Sequence, residues 1–148
     1  MNKTVLALTY LSVLLVACTG KTKGVDASAS EEVKLEQYIV VGRTLYLQHC
    51  SSCHQKNGQG LARLYPPIAG ADYLENNIEN VVCNIKNGLN GPLVVNGIEY
   101  NQMMPANHKL TPLEIAEIAT YIYNSWGRSD GLVGVLDVEK YLRGCQAK

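Results

Sequence analysis

Apolar residues fall along this chain in patterns that change character several times. The first is a run of about 13 mostly apolar residues, Val5 to Ala17, behind a single lysine, Lys3. A bilayer span needs about 20 such residues, so this run has the charge and length of an export signal rather than of a spanning helix. Cys18 follows it directly. From there to about Glu32 the chain is small and polar without periodicity, which predicts a flexible tether. The expected organisation is a signal over residues 1–17, a tether over 18–32 and one domain over 33–148, with a C-terminal extension from about residue 128.

Within the domain the period becomes helical. Ser30 with Glu31 and Glu32 marks a helix start, and Leu35, Ile39, Gly42, Tyr46 and Cys50 make an interrupted stripe down one face. Gly42 in mid-helix costs about 1 kcal/mol against alanine, which implies that another backbone approaches there. The prolines of Tyr65-Pro66-Pro67-Ile68-Ala69-Gly70 exclude regular structure. A second helix is expected from about Tyr73 to Asn87, with Ile78, Val81, Val82 and Ile85 inward and Gly88 as its stop. Cys83 lies roughly 140° round from Ile78 and faces something other than the main core. Asn96-Gly97 between Leu93-Val94-Val95 and Ile98-Glu99-Tyr100 predicts a type I′ hairpin. Thr111, Pro112 and Glu114 open the clearest helix with a capping box, and Gly127 is its expected stop. A short helix over about Asp137 to Leu142 closes the chain before Cys145.

Composition narrows the function. Thirteen basic and thirteen acidic side chains leave a formal net charge of zero, without the basic footprint of a nucleic-acid-binding protein or a polybasic membrane patch. Loss of the signal would remove Lys3 and leave one more acid than base. Nine tyrosines and one tryptophan stand beside no phenylalanine. The five cysteines are an odd number, and each needs its own account.

Cys50-Ser-Ser-Cys53-His54 carries the chemistry. Two residues between the cysteines bring both sulfurs to one turn, within reach of two vinyl groups on one porphyrin edge, and the next histidine is carried beneath the iron as an axial ligand. A redox dithiol would open a helix after a strand, and a zinc site would need a second close ligand pair. Neither pattern is present. Met103 and Met104 stand in a polar stretch before Pro105, and Met104 is the expected second axial ligand because the proline stiffens its loop. A thioether favours reduced iron. His49 and His108 read as surface or supporting residues.

Read together, these residues resemble the class I, monohaem cytochromes c. Gly42, Tyr46 and Cys50 reproduce the family's first-helix spacing, and Ile118 and Tyr121 take the aliphatic and aromatic places of its last helix, which crosses the first at that glycine. Pro66-Pro67-Ile68-Ala69-Gly70 matches the loop whose proline carbonyl accepts from the haem histidine, with Pro66 favoured and Pro67 next. Gly91-Pro92 through Pro105 resembles the hairpin and Met-Pro segment of bacterial members. The likeness runs over residues 35 to 127 or so. It implies an all-α cytochrome c fold of about three main helices, a small hairpin and a tail, holding one covalent haem c. Leu15-Val16-Ala17-Cys18 resembles the bacterial lipobox, which implies two acyl chains on Cys18 and a lipid-anchored, periplasm-facing place in the cell envelope.

Cys83 and Cys145 are not ligands in that family. Both belong to an exported chain, where thiols can pair, and a tail folding back would let them form a disulfide. The expected function is electron transfer between redox proteins. A haem enzyme or gas sensor with a labile sixth ligand is the alternative, and a module using free Cys50 and Cys53 thiols is a third. Tyr46, Tyr65, Tyr100 and Tyr121 are expected to flank the haem, Tyr38, Tyr73, Tyr123 and Tyr141 to be ordinary half-buried aromatics, and Trp126 to anchor the core.

Overall fold

The computed structural model describes residues 27–145, and those from Glu31 onward make up one compact unit. The expected signal over residues 1–17 and Cys18 lie outside the described residues. Helix α1 covers Ala27–His49, so it begins three residues before Ser30 and takes in the end of the stretch read as tether. Alanine is the best helix former, and the side chains of residues 28–34 are exposed. Extending a helix already nucleated costs little.

The buried stripe of α1 is sharper than the sequence pattern. Tyr38, Gly42, Tyr46 and Cys50, four residues apart, are its buried positions, while most side chains between them are exposed. Helix α4, Pro112–Tyr123, crosses this stripe. A Cβ built on Gly42 would strike the Glu117 carbonyl and lie 2.9 Å from the Tyr121 Cβ, which is why no larger residue serves there. Beside the crossing Tyr46, Tyr121 and Trp126 form a mutual cluster with ring centroids 5.3 to 5.6 Å apart in tilted and edge-on pairs.

Cys50 ends the α1 stripe, and Ser51–His54 follow as a single helical turn, α2. The expected helix from Tyr73 is broken in two: a 3₁₀ turn, Asp72–Leu74, and helix α3, Ile78–Asn87. Asn76 between them has φ 51°, a left-handed value that asparagine tolerates, and the Asn77 amide donates back to the Tyr73 carbonyl at 2.9 Å. Local side-chain bonding thus overrides the apolar period.

Strands β1, Leu93–Val95, and β2, Ile98–Tyr100, pair antiparallel with Val95 opposite Ile98. Asn96 and Gly97, at φ 52° and 74°, make the two-residue turn. Two strands are marginal alone. These are held by Asn96, which exchanges hydrogen bonds with Asp72 and donates to the Gly70 carbonyl.

The Thr111 and Glu114 capping box opens α4 as expected from the sequence. Its end differs: α4 stops at Tyr123, four residues before Gly127. The Asn124 amide bonds the Thr120 and Gly131 carbonyls, and Trp126 adopts φ 53° as its ring joins the aromatic cluster. The tail then folds back. The buried Thr120 hydroxyl accepts from the Val133 N–H at 3.1 Å, and helix α5, Val135–Gly144, packs on both α3 and α4 with Val138 fully buried. A disulfide joins Cys83 on α3 to Cys145 at the end of α5, with their Cα atoms 5.6 Å apart.

Gly42→Ala is expected to destabilise the domain by about 1–3 kcal/mol, the usual cost of an overpacked core position. Denaturant unfolding would show a lower midpoint with an unchanged slope, and a midpoint equal to the wild type would contradict the close crossing.

Candidate functional site

One turn gathers the motif. The N–H groups of Cys53 and His54 both donate to the Cys50 carbonyl, at 3.2 and 3.0 Å, which wraps the three side chains onto one wall of a crevice. The opposite walls come from the proline loop, from the 3₁₀ turn and α3 (Leu74, Val81, Ile85), from the hairpin (Leu93, Val95, Tyr100) and from Met104. Among the described residues no lysine, arginine, aspartate or glutamate lines it.

His54 Nδ1 lies 3.0 Å from the Pro66 carbonyl. A carbonyl only accepts, so Nδ1 carries the proton and Nε2 keeps its lone pair free for a ligand. Burial depresses the His54 pKa despite that hydrogen bond, which favours the neutral imidazole that metals bind. The carbonyl is closely packed by Gly60. Gly60, at φ 67°, donates to the His54 carbonyl at 2.9 Å, and a Cβ there would lie 2.6 Å from the Pro66 carbonyl oxygen. Pro67 lines the crevice without providing the acceptor.

Met104 is pinned by its backbone, which exchanges two hydrogen bonds with Leu89 at 2.9 and 3.0 Å. Gly88 packs so tightly beneath that a Cβ would meet the Met104 carbonyl. Met103 also borders the crevice but is 58% exposed. His49 is exposed at the rim, and His108 is exposed and not among the lining residues.

The tyrosines divide differently from expectation. Tyr65 and Tyr100 line the crevice, as does Tyr73, whereas Tyr46 and Tyr121 stand behind it in the helix crossing. The Tyr46 hydroxyl donates to the Gln55 carbonyl at 2.7 Å and so secures the chain just after His54. Burial raises its pKa. Trp126 packs against Tyr46 and Tyr121 and underlies Gly58.

These residues suit a large, flat, apolar group with an iron at its centre. The space within the crevice and at its open mouth together comes to about 1210 Å³. Cys50 and Cys53 are unpaired thiols at its wall, while Cys83 and Cys145 are bonded to each other. Burial and the neighbouring Cys53 push the Cys50 thiol up to about 12, where it is a poor nucleophile for disulfide exchange. Among the described residues no cluster of three or more His, Cys, Asp or Glu side chains could hold a zinc ion.

Comparison with known proteins decides the family: the Cytochrome c family model matches residues 39–126. The chain belongs to the cytochrome c family. Cytochrome c-552 of Thermus thermophilus is 36% identical over 97 residues, which span 63% of this chain and 73% of that protein. Cytochrome c-554(548) of Halomonas halodenitrificans is 36% identical over 74 residues, 49% of this chain and 78% of the relative. A likeness of 34% over 107 residues extends to the cytochrome c subunit of the quinone alcohol dehydrogenase of Gluconacetobacter polyoxogenes, of which only 22% is covered. As a cytochrome c, this is an electron-transfer protein with covalently bound haem c and its iron.

Sequence reasoning missed Gly60, which packs on the Pro66 carbonyl, and Leu89, which bonds Met104; it found Gly88 as the stop of α3 but not its close approach to Met104. Gly58-x-Gly60 and Gly88 were visible as glycines, but nothing in their spacing names the backbone they approach. Gly60→Ala is expected to push the Pro66 carbonyl off Nδ1. A slowly exchanging His54 Nδ1 proton resonance is expected in the wild type and should disappear in the variant; its persistence there would contradict the role given to Gly60.

Proposed function

We propose that the chain is a bacterial lipoprotein with one haem c, attached through Cys50 and Cys53, ligated by His54 and Met104, and shuttling electrons between redox proteins at the cell envelope. The observation that carries this reading is that His54, oriented by the Pro66 carbonyl, and Met104, pinned to Leu89, line the same apolar crevice from separate segments.

Bound haem supplies one-electron exchange between ferrous and ferric iron. The protein's part is to tune and shield that exchange. The Nδ1 hydrogen bond fixes the tautomer of His54 and makes its ring a stronger donor. Met104 offers a soft sulfur that favours the reduced state. The uncharged walls exclude water, which limits the rearrangement that accompanies each change of charge.

Cys18, by this reading, carries the lipid and needs no sulfur partner, which accounts for the odd number of cysteines. Among the described residues no helix is long and apolar enough to cross a membrane. The likeness to a subunit of a quinone alcohol dehydrogenase supports a dehydrogenase as one electron donor, with a second redox protein as acceptor. Encounters of this kind use small interfaces and part quickly.

Expression in a bacterium able to attach haem c tests the reading. The wild-type band should keep its haem in a denaturing gel, and Cys50→Ser/Cys53→Ser should lose it; retained haem in the double variant would contradict attachment there. Cys18→Ala should move the protein from the membrane pellet to the soluble fraction, and an unchanged pellet would contradict the lipid anchor.

A further inference from the structure

Helix α3 ends at Asn87, and the last four carbonyls of any helix lack partners within it. Only part of this end is closed locally: the Asn84 carbonyl accepts from the Gly88 N–H at 2.9 Å. The next two carbonyls are closed by a residue far along the chain. Asn107 donates its side-chain amide to the Ile85 carbonyl at 3.3 Å and its backbone N–H to the Lys86 carbonyl at 3.1 Å. Lys86 reaches the other way, and its Nζ donates to the carbonyls of His108 at 2.8 Å and Leu110 at 2.7 Å. With the Leu89 and Met104 pair, six hydrogen bonds join residues 104–110 to residues 85–89.

The arrangement is lopsided about Met104. Ahead of it Asn101, Gln102 and Met103 are exposed, and behind it the chain is fastened to α3 up to the start of α4. The strongest of the fastenings are the two from Lys86, because an ionised donor makes hydrogen bonds about twice as strong as a neutral one. The ammonium also lies in the last turn of α3, where the helix dipole favours a cation. A thioether is neutral and cannot draw its loop to the iron by charge, so its segment must already be in place.

We propose that Lys86 and Asn107 are positioning residues that hold Met104 at the sixth axial position, so that their loss leaves haem attached but frees that position. The proposal rests on Met104 being the ligand, as argued above. It gives α3 a second role: besides walling the crevice, its C-terminal end governs whether the iron is closed to external ligands.

The test uses the full-length, haem-loaded protein and compares wild type, Met104→Ala, Lys86→Met, Asn107→Ala and Gly42→Ala. The thioether-to-iron charge-transfer band of the ferric form is recorded, then the rate of carbon monoxide binding to the ferrous form. Both are scaled to bound haem, so a variant that accumulates poorly is still read. Met104→Ala should abolish the band. Lys86→Met should weaken it and speed carbon monoxide binding about tenfold or more, the factor carried by loss of one charge-assisted hydrogen bond, and Asn107→Ala, which loses only its neutral side-chain bond to the Ile85 carbonyl, should do so by about threefold. Gly42→Ala, destabilising at a distance, should leave both at wild-type values. If Met104→Ala loses the band while Lys86→Met and Asn107→Ala keep wild-type band and rate, the positioning role is wrong and the ligand stands. An equal effect from Gly42→Ala would reduce the result to general loosening and overturn the proposal. A band retained in Met104→Ala would overturn the ligand itself.

Discussion

The side chains at the centre of this domain do two things at once: they pack against one another as its core, and they line the crevice. Leu74, Val81, Ile85, Val95, Tyr100 and Ile122 are buried and also line the site. A chain of this length has one core, and here that core also supplies the apolar walls of the site. Most other features of the fold follow from walling such a space with short segments. The helix crossing at Gly42 fixes the back of the structure. The single turn after Cys50 brings two thiols and a histidine to one wall, and hydrogen-bonded loops supply the rest.

Two loops carry the most demanding tasks, and in both a glycine lets one backbone lie against another. Gly60 supports the Pro66 carbonyl that orients His54, and Gly88 supports the backbone of Met104. Loops that present ligands would ordinarily be mobile, with few buried contacts. Here the proline loop is bonded through Ile68 and Ala69 to the Gly58 carbonyl, and the methionine loop is fastened to the end of α3. The tail acts on the same wall from outside. The disulfide at Cys83 and the packing of α5 hold α3, while Arg128 bridges to Glu75 beyond the 3₁₀ turn.

Much of this was legible in the sequence because it depends on residues near one another. The CxxCH turn, the capping box at Thr111 and the Asn96-Gly97 hairpin each state their geometry within a few positions. The family likeness extended that reach to the pairing of Gly42 with Tyr121 and to the choice of Pro66. What was misread involved competition between local and distant effects. Asn76 and Asn77 break an apolar period that looked continuous, and Trp126 turns α4 aside before Gly127 because its ring belongs with Tyr46 and Tyr121. Tyr46 was expected to flank the haem, yet the helix stripe carries it to the crossing behind. The fastening of residues 104–110 by Lys86 and Asn107 was invisible, since a lysine and an asparagine near helix ends have many ordinary uses.

The central claim is that the crevice holds haem, with His54 and Met104 as the axial pair. Near-infrared magnetic circular dichroism of the ferric, haem-loaded wild type reads the axial pair directly. A low-spin histidine and methionine signature is expected; a bis-histidine or high-spin spectrum would contradict this axial pair.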